Sequence, residues 1–233
     1  MKRLYLLSLI FAVLFALFIL LPPLLSTPFG EFPLMKTADV VDLFTPLVLM
    51  PFYWLLFEVK SDSLPGRREV LVFMVFAALW VLGQGMHLAA NSIGHLVPEN
   101  PTGDLYRLTY YYDERLGHQL WHGGILLMMF LLLYRQWCYP FAGESGGPAP
   151  GIIGGIVYGI TFFLAGIEGG TVGLGFTAAI LVTAFALIWG RRQFRHQPLL
   201  VFFFVACVAF ILLFIGWGIY WGGWPEPSKV GLL

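Results

Sequence analysis

Charge is scarce in this chain: Asp, Glu, Lys and Arg make up 11% of its 233 residues, against roughly 25% in ordinary soluble domains. Thirteen basic and thirteen acidic side chains cancel, so there is no basic field to hold a polyanion, which argues against nucleic acid as a partner. Cysteine is also scarce. Cys138 and Cys207 form no CxxC pair, and Cys207 falls about 13 Å into an apolar segment at 1.5 Å per residue, which excludes a disulfide scaffold and a thiolate metal site. A GxSxG element and a nucleotide loop are missing too, removing the usual serine-hydrolase and phosphate-cradling routes to chemistry.

What the chain has in abundance is apolar surface, at 59% hydrophobic residues and a mean hydropathy of +0.82. Apolar runs near 4–25, 40–57, 70–93, 116–134, 151–167, 172–189 and 199–220 are each close to the ~20 residues that cross ~30 Å of hydrocarbon. The reading is an all-α, polytopic integral membrane bundle of about seven helices, forming a single transmembrane domain over residues 1–233. The first run exceeds the 7–15 residue core of a signal peptide and no small-x-small cleavage site follows it, so it reads as an uncleaved helix. Only Glu168-Gly169-Gly170-Thr171 separates the fifth and sixth runs, where a re-entrant hairpin is the alternative.

Basic residues orient the bundle. With the N-terminus inside, Lys2, Arg3, Lys60, Arg67, Arg68, Arg135, Arg191, Arg192 and Arg195 fall on the cytoplasmic side and Lys36, Arg107, Arg115 and Lys229 outside, nine against four. The C-terminus is then outside, and the expected location is the cell's inner or plasma membrane. Pro46 and Pro51 in the second run predict a kink. Gly151, Gly154, Gly155 and Gly159 in the fifth read as a close helix–helix contact. Trp217, Tyr220, Trp221 and Trp224 read as an interfacial belt at the outer end of the seventh.

Four of the five histidines lie between Gln84 and His122. His87, Asn91 and His95 recur every four residues, as do Glu114, His118 and His122, so each set lines one helix face. His87 lies about 26 Å from the start of the third run at 1.5 Å per residue, near the outer leaflet. Antiparallel pairing of consecutive helices then predicts His95 beside Glu114 and His118, and His87 level with His122. Imidazole is the commonest protein metal ligand at neutral pH, and four-residue spacing lets two rings reach one ion. Ionisable groups within a membrane segment usually mark function.

These residues predict a site for one or two transition-metal ions (zinc, iron or copper), with His87, His95, His118, His122 and Glu114 as ligands. Glu114 or Asp113 is the expected general base, and Gln84, Asn91, Asp42 and Glu168 stand behind them. His196, beside Arg191, Arg192 and Arg195, reads as a solvated interfacial residue. Seven helices with an internal N-terminus and membrane histidines superficially resemble the alkaline ceramidase and adiponectin-receptor superfamily of zinc-dependent membrane amide hydrolases. That superfamily carries its HxxxH on the last helix, whereas His118 and His122 lie on the fourth and the seventh run has no histidine; no residue role is carried over. The leading expectation is a metal-dependent membrane enzyme acting on a lipid or other apolar substrate near the outer leaflet. Hydrolysis would go with zinc and oxidation with iron or copper. The alternatives are a haem-binding electron-transfer or quinone-reactive subunit, with His87 and His122 as axial ligands, and a transporter or metal permease.

Overall fold

The computed structural model describes residues 2–58, 64–94, 96–98, 100, 102–141 and 147–232. Among them seven helices are long and apolar enough to cross a membrane: α1 (Lys2–Leu20), α2 (Thr37–Glu58), α3 (Arg67–Gly94), α4 (Asp104–Cys138), α5 (Ala149–Glu168), α6 (Val172–His196) and α7 (Pro198–Trp221). The chain is a multi-pass integral membrane protein. A two-stranded antiparallel hairpin, β1 (Pro28–Phe29) with β2 (Phe32–Lys36), lies between α1 and α2. The fifth and sixth helices are both full-length, which answers the hairpin alternative by length and composition.

Glycine decides which helices touch. α5 packs between α1 and α7, and a Cβ at Gly155 would lie 2.5 Å from the Phe202 carbonyl oxygen, while one at Gly154 would lie 3.0 Å from Leu9 Cα. The fifth-helix glycines are therefore packing devices. Around them sits an aromatic core of Phe11, Phe15, Tyr53, Tyr158 and Phe202, all buried. The buried Tyr53 and Tyr158 hydroxyls share one hydrogen bond at 2.9 Å, one donating and the other accepting, which ties α2 to α5.

The second glycine-built contact joins α3 to α4. A Cβ at Gly124 would stand 2.6 Å from Trp80 N, one at Gly117 would stand 3.0 Å from His87 N, and one at Gly83 would overlap Trp121 N. The three contacts share one antiparallel register, with Trp80 opposite Gly124, Gly83 opposite Trp121 and His87 opposite Gly117. This corrects the expectation that His87 is level with His122: His87 lies about one turn nearer the start of α4, opposite His118. The glycines set that alignment, because a Cβ at any of the three would push into the facing backbone.

α2 stays helical through both prolines. Pro46 has no N–H for the carbonyl of Asp42, and that carbonyl accepts instead from Gln84 Nε2 at 3.0 Å, while Gln84 Oε1 accepts from Trp80 Nε1 at 2.6 Å. Gln84 is thus a tie between α2 and α3. At the opposite end Arg135 donates from Nε to the Phe57 carbonyl at 2.8 Å and from Nη1 to Glu69 at 2.7 Å. Gln136 Oε1 accepts from the Leu199 and Leu200 amides that open α7. A helix start has unsatisfied N–H groups, so this side chain from α4 serves as the cap.

The α3–α4 contact predicts a sharp contrast between two neighbouring glycines. Gly83→Ala should cost about 1–3 kcal/mol by overpacking. Gly85→Ala meets nothing within 4 Å and should leave stability unchanged or slightly raised. Thermal unfolding of the two detergent-purified variants checks this, and equal effects would contradict the register.

Candidate functional site

The histidine cluster is built where α4 is not an α-helix. Residues Tyr111–Gly117 form a π-helical turn between two α-helical stretches, and its i→i+5 bonding brings residues five apart over one another. Asp113 is thereby carried onto the face of His118, towards α3. Its Oδ1 stands 2.6 Å from His87 Nδ1. In an unbroken α-helix the face with His118 and His122 would be completed by Glu114 alone, which is how the spacing reads in sequence. Glu114 does keep that place, with Oε2 3.6 Å from His118 Nδ1, but more exposed. Both carboxylates therefore border the cluster, one behind each of two histidines.

The rings are stacked in a row. His87 and His118 have centroids 4.3 Å apart, His118 and His122 5.7 Å apart, and Trp121 lies against all three. His118 and His122 are buried. The α5–α6 turn closes the far side. Thr171 Oγ1 makes a short hydrogen bond with His122 Nδ1, and a Cβ at Gly169 would lie 3.0–3.1 Å from both the His118 and His122 rings. Thr171 was not foreseen from the sequence. The signal available was its position directly after the two glycines of a tight interhelical turn, Gly170 having a φ of +62°, which any side chain would resist.

The remaining expected members take other places. Asp42 lies near enough to His87 to act on it electrostatically, and its backbone carbonyl holds Gln84. Asn91 is half-buried one turn beyond His87. Glu168 faces the C-terminal segment and accepts from the Ser228 amide at 3.1 Å. That segment folds back over the same end of the bundle, with Trp217 Nε1 donating to the Pro225 carbonyl. Lys229 donates to Glu226 at 2.7 Å, a bond that raises its pKa, and Tyr110 and Glu114 are close enough to reinforce the shift. His95 lies outside the described residues. His196 is exposed at the other end of the bundle, its Nδ1 3.0 Å from the Phe141 carbonyl, so it takes no part.

Among the described residues, five buried polar atoms of this cluster make no hydrogen bond: His87 Nδ1, Asp113 Oδ1, His118 Nδ1, Trp121 Nε1 and His122 Nε2. His87 Nδ1 and Asp113 Oδ1 are nevertheless paired by charge at 2.6 Å, and His118 Nδ1 has Glu114 Oε2 at 3.6 Å. Trp121 Nε1 and His122 Nε2 are left with neither a hydrogen bond nor an ion pair among the described residues, and a buried group so left costs about 1–3 kcal/mol. Among the described residues, however, no three His, Cys, Asp or Glu side chains are gathered into a ready-made metal-holding group. The His87 and His118 rings are in contact, and His87 sits opposite Gly117.

Fold and site together define a seven-helix membrane protein with a buried histidine–carboxylate cluster at one end. No family model matches the chain, and no solved structure matches it. Two curated proteins are similar. One is the ceroid-lipofuscinosis neuronal protein 6 homolog of Canis lupus familiaris, 29% identical over 170 residues, covering 63% of this chain and 52% of that protein. The other is ceroid-lipofuscinosis neuronal protein 6 of Homo sapiens, 30% identical over 154 residues, covering 56% of this chain and 47% of the relative. The chain thus spans about half the length of the curated relatives it matches.

Because Asp113 is the more buried carboxylate and the nearer to its histidine, the two acids should differ on neutralisation. Asp113→Asn should lower stability by about 1–3 kcal/mol, whereas Glu114→Gln, half-buried and more open to solvent screening, should change it by less than about 1 kcal/mol. Denaturation curves in one detergent would show the difference, and the reverse order would reject the placement by the π-helical turn.

Proposed function

We propose that this chain is a membrane-embedded enzyme that acts on a lipid or other apolar substrate at the membrane face carrying the histidine cluster. In this reading His87, His118 and His122 share one transition-metal ion. The observation that carries it is the pattern at the rings. Each Nδ1 looks at an oxygen, Asp113 for His87, Glu114 for His118 and Thr171 for His122, and the buried His122 Nε2 has no hydrogen-bond partner among the described residues. Ligating histidines characteristically present one nitrogen to the metal and have the other held by a carboxylate, carbonyl or hydroxyl.

The expected roles of the acids change accordingly. Asp113 becomes the group that orients His87, and Glu114, at the accessible edge of the cluster, becomes the general base. Thr171 orients His122. A bound ion would supply Lewis acidity or an activated water, with zinc favouring hydrolysis and iron or copper oxidation. The stacked rings would exchange ring–ring contact for a shared ion, and that exchange would satisfy ring nitrogens that burial leaves bare.

Elemental analysis and an optical spectrum of the protein purified in mild detergent test this reading. About one equivalent of zinc, iron or copper is expected, with His118→Ala and His122→Ala each losing most of it and His196→Ala none. Thr171→Val should weaken retention about 10–100-fold, as removal of an orienting partner does. Absence of metal even after reconstitution, or equal losses in all three histidine variants, would overturn it; a Soret band would replace it with haem.

A further inference from the structure

The π-helical turn that brings Asp113 to His87 also rearranges the outward face of α4. In an unbroken α-helix Arg107 and Arg115, eight residues apart, would point roughly 80° away from one another at 3.6 residues per turn. Here Tyr110 follows Arg107 by three residues of α-helix, on one face. Arg115 follows Tyr110 by five residues across the π-helical turn, which returns it to that face. Both arginines line one open groove of about 630 Å3, together with Asp104, Leu108, Tyr110 and Tyr111.

Neither guanidinium is matched by a carboxylate. Among the described residues the Arg107 and Arg115 side chains make no hydrogen bond or ion pair. Asp104 borders the groove one turn before Arg107 and forms no ion pair with it; its place in the first turn of α4 suits the helix dipole instead. A third cation, Lys229, comes near Tyr110 but is bonded to Glu226 at 2.7 Å. The groove therefore carries two uncommitted arginines against one carboxylate, an excess of positive charge.

The surroundings select the anion. The long apolar run of α4 begins at Leu116, directly after Arg115, which sets the groove at the level where hydrocarbon gives way to headgroups. Tyr110 and Tyr111 are exposed there, as aromatic residues of a membrane interface are, and exposed Leu108 adds apolar surface that a soluble anion would not use. Guanidinium presents a fork of N–H donors matched to phosphate oxygens, and phosphate is the anionic group a bilayer offers at that level. We propose that this groove binds the phosphate headgroup of an anionic phospholipid, with Arg107 and Arg115 supplying the donors and the charge. No histidine lines the groove, so its occupancy stands apart from the metal reading.

The test is native mass spectrometry of the full chain in mild detergent, titrated with phosphatidylglycerol or with phosphatidylcholine of the same acyl chains. Phosphatidylglycerol should bind about tenfold or more tightly than phosphatidylcholine, the scale expected of hydrogen bonds to a charged group. The double variant Arg107→Gln/Arg115→Gln should erase that preference, whereas Arg191→Gln/Arg192→Gln, at the opposite end of the bundle, should leave it intact. All four positions are exposed, so both variants should keep the native unfolding temperature. Inorganic phosphate at the lipid's concentration should not displace phosphatidylglycerol. Displacement would assign the groove to a free anion and overturn the lipid site, as would equal losses in the two double variants or the absence of any preference in the unaltered chain.

Discussion

Everything at the candidate site depends on α3 and α4 meeting backbone to backbone. In a bilayer there is no hydrophobic driving force between helices, so close packing and polar contacts must hold them together. Gly83, Gly117 and Gly124 supply that closeness at three levels of one register. With larger residues there, the helices would stand apart and His87 would lose van der Waals contact with His118. The π-helical turn then works on this fixed alignment: it rotates Asp113 towards α3 without disturbing the helix below, where Trp121 and Gly124 are already locked.

The two ends of the bundle are built differently. At one, Arg135 is satisfied by a carbonyl and by Glu69, and it also lies over the Phe57 and Tyr139 rings; Gln136 is spent on the start of α7. Arg135 Nε and Nη1 and Gln136 Oε1 are all bonded, which is what a structural clamp requires. At the other, Trp121 Nε1 and His122 Nε2 are buried with neither a hydrogen bond nor an ion pair among the described residues. Such incompleteness is costly in a membrane, and its confinement to the end where the histidines gather is the physical reason for reading function there and not at the arginine.

Much of the fold was legible in the sequence because the bilayer imposes a length. Seven apolar runs predicted seven helices, and the glycine spacing in α5 predicted close packing. The site was legible by type but not by detail. Four-residue spacing put His118 and His122 on one face and Glu114 beside them, all of which the structure shows. It could not reveal Asp113 as the partner of His87, because that pairing exists only through a π-helical turn that periodicity at 3.6 residues does not describe. The offset of His87 from His122 was hidden for a related reason: register follows where glycines permit contact, and assumed helix starts do not contain that information. Gln84 read as a member of the site, yet a carbonyl freed by Pro46, 38 positions earlier in the chain, claims it. Thr171 depends on a contact between α4 and the α5–α6 turn that only the folded chain reveals.

The proposed site has three histidines, aligned by a glycine contact and held from behind by Asp113, Glu114 and Thr171, sharing one ion. X-ray absorption at the K edge of whatever metal the purified protein retains tests it most directly. Two or three imidazole nitrogens are expected in the first shell, at about 2.0–2.1 Å for zinc. A shell of oxygens alone, or one containing thiolate sulfur, would contradict it.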